Sequence, residues 1–197
     1  MADPLYLSLW YSSFDAEEIL PKTLSVMRQF PFSSQQGGIA GLALHPVSWN
    51  EATILERRFN PGITPEAAVL IASDLLHDDY AYVFEAAWDL WVFDDEQRKW
   101  LLKPWRVRFI AQGQEFEDGS SESEGHIQVD FGSDSPFLQE QLNLTPDGEE
   151  RVRANVQKLV DFTNKAEKAS EANSRLLRSE SEDNFAQKLI SRLQRVQ

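Results

Sequence analysis

Apolar and polar positions alternate with period two in LYLSLWY, residues 5–11, where Leu5, Leu7, Leu9 and Tyr11 fall on one side, so a strand with one apolar face is predicted. Phe14 and Asp15 follow. Asp15 is placed to cap a helix running to about Gln29, Glu18 completes a capping box, and Ile19 can staple back onto Phe14. IAGLALHPV and ATILERRF, separated by Trp49-Asn50-Glu51, predict a hairpin. Thr64, Pro65 and Glu66 then open a second helix ending near His77-Asp78-Asp79.

YVFEAAWDLWVF and KWLLKPWRVRFIAQG predict two more strands, and HIQVDFG a sixth after the acidic, serine-rich stretch 112–125, which reads as a mobile loop. Thr145-Pro146-Asp147 opens a further helix with an apolar stripe at Val152, Val156, Leu159, Thr163 and Ala166. A last helix is predicted beyond SEANSRLLRSES, with Ser179 and Glu182 as a capping box, Phe185, Leu189, Leu193 and Val196 on one face, and Lys188, Arg192 and Arg195 flanking it.

The expected fold class is α+β: a ferredoxin-like βαββαβ core extended by two further antiparallel strands, with two C-terminal helices packed on the sheet or on a second subunit. Residues 1–143 would form the sheet domain and 144–197 a helical extension packed on it.

The segment 87–105 holds four of the six tryptophans. If residues 82–93 and 100–111 form a hairpin turning at Glu96 and Gln97, position i faces position 193 − i. That register sets Asp95 against Arg98, Asp94 against Lys99 and Glu85 against Arg108, and pairs Trp88 with Trp105 and Phe93 with Trp100. One face then carries Tyr82, Phe84, Trp88, Leu90, Val92, Leu101, Trp105, Val107 and Phe109 and is core. The other carries Glu85, Asp89, Arg106 and Arg108 in its middle and Trp91, Phe93, Trp100 and Leu102 at its turn end. These four aromatic and apolar residues, joined by Tyr6 and Trp10, are the candidate binding surface, covered either by the C-terminal helices or by a partner.

Charge narrows the partner. The chain carries 32 acidic and 19 basic residues, a net −13, with eleven acids and no lysine or arginine between Phe109 and Glu150. Such a surface repels phosphate backbones and argues against nucleic acid. It fits an acidic inhibitor or chaperone of a basic protein, or an interaction protein that self-associates. No apolar run reaches the length of a bilayer span, and MADPLYLSLWYSS lacks a basic region, apolar stretch and cleavage site, so a soluble, cytoplasmic protein is expected. The absence of cysteine removes disulfides, thiolate metal sites and cysteine nucleophiles.

Chemistry is sparse. His77, Asp78 and Asp79 are the best candidates for a metal-assisted hydrolase, although a solvated helix end explains them as well. His126 and Asp130 share a face four residues apart, too little to define a dyad. There is no Gly-x-Ser-x-Gly elbow, phosphate-binding glycine loop or Gly-x-Gly-x-x-Gly, so neither a catalytic residue nor a cofactor is expected.

Overall fold

The structure is a computed structural model that describes residues 3–138, 144–179 and 189–190. Its strands are β1 (Pro4–Trp10), β2 (Ile39–Pro46), β3 (Leu55–Ile63), β4 (Tyr80–Asp94), β5 (Lys99–Gln112), β6 (Ile127–Ser133) and β7 (Ser174–Ser179). The helices are α1 (Ala16–Met27), α2 (Pro65–Ser73), α3 (Ser121–Glu124), α4 (Ser135–Leu138) and α5 (Pro146–Ser170), with a 3-10 turn at Phe116–Gly119. The strands form one antiparallel sheet of seven in the order β3-β2-β4-β5-β6-β1-β7.

The α+β class is as expected, but the strand order is not that of a ferredoxin-like fold. There β1 would lie inside the sheet between the third and fourth strands of the core. Here it pairs with β6 and β7, and α1 crosses behind the sheet to reach β2 near the far edge. Hydrophobic period specifies which face of a strand is buried, not which strand lies beside it.

Local grammar holds well. The Asp15 carboxylate accepts from the backbone N–H groups of Glu17 and Glu18, and Phe14 and Ile19 are both fully buried. Thr64 and Thr145 cap α2 and α5, each with proline at the start of the helix. The α5 stripe Val152, Val156, Leu159, Thr163 and Ala166 is buried throughout. The β4–β5 register runs from Ala81↔Gln112 to Asp94↔Lys99, with i and j summing to 193 at every pair, as the charge and aromatic pairs predict.

The second helix ends at Ser73, short of the expected His77-Asp78-Asp79, and two further stretches differ from expectation. Residues 112–125 hold the 3-10 turn and α3, anchored by fully buried Phe116 and by bonds from the Ser120 hydroxyl to the Gln112 amide oxygen (2.6 Å) and from Trp10 Nε1 to the Glu122 carbonyl (3.0 Å). Residues 174–179, expected as a connector, form β7 on the outer edge of β1. Ser179 therefore closes a strand, and its hydroxyl donates to Asp134 Oδ2 (3.0 Å). The last expected helix falls on residues outside the described ones except Leu189, which is buried, and Ile190.

The core lies between one sheet face and α1, α2 and α5. Phe162 of α5 meets Phe30, Trp88, Phe109 and Phe131 edge to face, with ring centroids 5.3–6.4 Å apart. Among the described residues no long helix crosses the opposite face, the uncovered face. Among the described residues no helix is long and apolar enough to cross a membrane.

Candidate functional site

The uncovered face is organised in rows, because antiparallel register brings one residue from each strand into line. One row crosses the entire sheet: Arg58 on β3, Gly41 on β2, Glu85 on β4, Arg108 on β5, Asp130 on β6, Tyr6 on β1 and Arg178 on β7. Charges alternate along it. Glu85 and Arg108 are register partners, yet each makes its close ion pair with a strand on its far side, Glu85 with Arg58 and Arg108 with Asp130. The Arg58–Glu85 pair reaches over β2, and Gly41 makes this possible: a Cβ there would sit 3.0 Å from Arg58 Nη1 and 3.3 Å from Glu85 Oε2. Asp130 is nearly buried, and its second oxygen accepts from the Gly132 N–H (2.8 Å).

The next row is Glu56, Ala43, Val83, Ile110, Gln128 and Ser8, apolar in its centre and polar at its ends. Together the two rows floor a depression of about 500 Å³ whose lining comes from six strands. Its far end is closed by Trp49 from the β2–β3 connection and Glu124 from α3. Trp49 is firmly placed. Its indole lies edge-on to His45 (5.0 Å) and Phe116 (4.9 Å), and its backbone N–H donates to Glu117 Oε2 (2.8 Å). Burial holds the His45 imidazole below its ordinary pKa, partly offset by the charge of Glu56, and His45 Nδ1 is buried with no hydrogen-bond partner.

The residues expected to form one aromatic surface occupy separate places. Trp91, Phe93, Trp100 and Leu102 do cluster at the β4–β5 tip, with Phe93 and Trp100 edge to face at 5.5 Å. The first turns of α5 lie against this cluster. Arg151 stacks over Trp91 at 4.7 Å, and Gly148 faces Trp100 so closely that a Cβ would be 3.2 Å from its Nε1. Leu102 is left 44% exposed, and a second depression of about 760 Å³ at the tip is lined by Phe93, Trp100 and Arg151 among others.

Tyr6 does not join the tip. It stands in the row of Arg108, six residues along β5 from Leu102, or roughly 20 Å at the usual rise of an antiparallel strand. Trp10 lies farther still and holds α3 through its Nε1. Tyr6 instead lines the central depression.

The backbone at His77, Asp78 and Asp79 is a docking point. The Asp78 carbonyl accepts from Glu115 N–H (2.9 Å), the Asp79 carbonyl from Val47 N–H (2.7 Å), and the His77 ring lies 4.6 Å from Tyr80. Among the described residues no three His, Asp or Glu side chains converge as a metal site. His126 and Asp130 face different partners: His126 Nδ1 accepts from the Tyr11 N–H (3.0 Å), whereas Asp130 pairs with Arg108.

The central depression is not legible in the sequence because its residues are far apart in the chain. Trp49 and Tyr6 are joined only by strand order, which no local pattern specifies. The one available signal was Gly41 inside an otherwise regular strand, a position that permits close approach of other groups. No family model, curated protein or solved structure matches the chain.

Proposed function

We propose that this protein is a non-catalytic binding module that holds a basic protein partner against the uncovered face of its sheet. The observation that carries this reading is the asymmetry of the sheet: α1, α2 and α5 cover one face, while the other presents a depression crossing six strands, walled by a fixed tryptophan. A net charge of −13 favours a cationic partner and fast, salt-sensitive encounter. The ion pairs in the depression neutralise one another and read as framework rather than acid/base machinery.

The test is capture from an extract of the source cells by the immobilised full chain at low salt, repeated with Trp49→Ala and with Leu102→Ala. A basic protein released by rising salt, retained by the Leu102 variant and lost from the Trp49 variant supports the reading. Capture indifferent to Trp49 removes it.

A second reading, self-association through the hairpin tip, is favoured by the exposure of Leu102 beside Phe93 and Trp100. Light scattering decides it. A dimer that becomes a monomer on Leu102→Asp supports tip-to-tip assembly, and a monomer at all concentrations ends it.

A further inference from the structure

Two properties of the central depression narrow what it accepts. The first is its charge. Glu56, Glu85, Glu124 and Asp130 line it, against Arg58 and Arg108. Both arginines are paired with carboxylates, Arg58 with Glu85 and Arg108 with Asp130, so their positive charge is offset within the depression. Burial lowers the His45 pKa below its ordinary value, which favours the uncharged imidazole. The excess is therefore negative and resides at Glu56 and Glu124. Glu56 is 59% exposed and approaches Arg58 only to 3.8 Å, while Glu124 accepts from the Gln112 side-chain amide (3.2 Å).

The second is the combination of an apolar floor with an aromatic wall. Ala43, Val83 and Ile110 form a strip of small and branched side chains across β2, β4 and β5. At its end Trp49 is 39% exposed although its ring is held on two sides, and Glu56 acts on the same imidazole that Trp49 touches. Fixed aromatic rings that remain accessible next to a carboxylate are suited to a cation carried on an aliphatic stem.

We propose that the depression is a socket for an arginine or lysine side chain of the partner protein. Its methylenes lie on Ala43, Val83 and Ile110, and its cation sits against Trp49 and Glu56, with Glu124 adding to the attraction at the same end. This inference rests on the reading of the uncovered face as the binding surface and names the group that enters it. A Gln or Met side chain would match the strip but leave the negative excess unanswered, and an anion would meet it directly.

The experiment titrates the full-length protein with blocked Gly-Arg-Gly and Gly-Lys-Gly peptides and with the citrulline analogue, which keeps the shape of arginine and removes its charge. The Trp49 indole and the amides of Ala43, Val83 and Ile110 are followed by NMR. The cationic peptides are expected to shift these resonances, the citrulline peptide far less. Trp49→Ala and Glu56→Gln should each weaken the effect about threefold to tenfold. Resonances far from the socket report that the variants remain folded. Equal shifts from citrulline and arginine peptides, or no shifts at tens of millimolar peptide, overturn the socket.

The two levels fail separately. A basic protein captured through the uncovered face whose binding is insensitive to Glu56→Gln, together with silent cationic peptides, removes the socket and keeps the binding face. Absence of any partner that depends on Trp49 removes both.

Discussion

Asn155, midway along α5, meets Trp91 of β4 as a neighbouring strand would: its Nδ2 donates to the Trp91 carbonyl (2.8 Å) and its Oδ1 accepts from the Trp91 N–H (2.9 Å). The same amide also donates to the Pro136 carbonyl (2.9 Å). β4 needs this help because β2 accompanies it only as far as Glu85. Beyond that point its outward backbone groups are met one by one. Ser33 N–H reaches the Ala87 carbonyl (2.7 Å), Lys158 Nζ the Asp89 carbonyl (2.5 Å), and Asn155 both groups of Trp91. An exposed row of unpaired donors and acceptors would otherwise invite pairing with another chain.

Asn155→Ala should therefore be costly out of proportion to its size. Asn155 is 1% exposed, and its loss strands one N–H and two carbonyls. At ~1–3 kcal/mol for a buried group left unmet, and allowing for partial rescue by water, a loss of about 2–4 kcal/mol is expected in urea unfolding. The Trp91 amide should also exchange much faster. A loss below ~0.5 kcal/mol would show that the clasp is incidental.

The charged row makes an asymmetric prediction. Arg108→Ala strands Asp130, whose side chain is 7% exposed, whereas Arg58→Ala strands the more accessible Glu85, at 19%. Removing the partner of the more buried carboxylate leaves a charge with fewer routes to water. Arg108→Ala should cost about 1–3 kcal/mol and Arg58→Ala about 0–1 kcal/mol, the range of exposed pairs. Equal costs from chemical denaturation would contradict the ranking.

How much of this was readable in the chain follows the range of the interactions. The β4–β5 register was available because Asp94, Lys99, Glu85 and Arg108 lie within one hairpin and select it by charge. The α5 stripe and the caps at Asp15, Thr64 and Thr145 are similarly local. Strand order was hidden because Leu7 of β1 pairs with Val129 and Leu177, contacts across most of the chain. β7 is hidden in the sequence because SRLLRS puts adjacent leucines on opposite faces, so its pattern resembles a connector. In the acidic stretch, Phe116 was the residue out of place, and it anchors the 3-10 turn that backs Trp49. The central site inherits the opacity of the strand order.

Histidine protonation should weaken the fold at mildly acidic pH. His126 stacks on Phe14 (4.9 Å), and its Nδ1 accepts from the Tyr11 N–H, which requires that nitrogen to be unprotonated. Burial lowers its pKa, with Glu122 opposing and Lys22 reinforcing the shift; His45 is lowered as well, by burial. A histidine with a lower pKa folded than unfolded takes its proton more readily when unfolded. Its contribution is thus complete above the unfolded value of about 6.5 and is lost as pH falls from there to the folded value. His126→Asn, which keeps an acceptor near the Nδ1 position, should show a shallower fall of stability between neutral pH and pH ~5 than the parent chain. Parallel stability curves for the two would rule out His126 as a contributor.

The buried face of α5 belongs to the same core as the sheet, which truncation tests directly. A chain ended at Asn143 loses α5 and β7 together. Without Phe162, the rings of Phe30, Trp88, Phe109 and Phe131 lose a shared edge-to-face neighbour, and Val152, Val156, Leu159 and Ala166 no longer cover the sheet. Deleting one buried phenylalanine alone costs about 3–5 kcal/mol, a large part of the ~5–15 kcal/mol that typically separates a folded domain from its unfolded state. The lost strand also turns β1 into an open edge. The truncated chain should precipitate or bind a hydrophobic dye strongly, and Phe162→Ala in the full chain should remain soluble with sharply reduced stability. A truncated chain that is soluble, monomeric and cooperative in unfolding would mean that the sheet is stable without its covering helix.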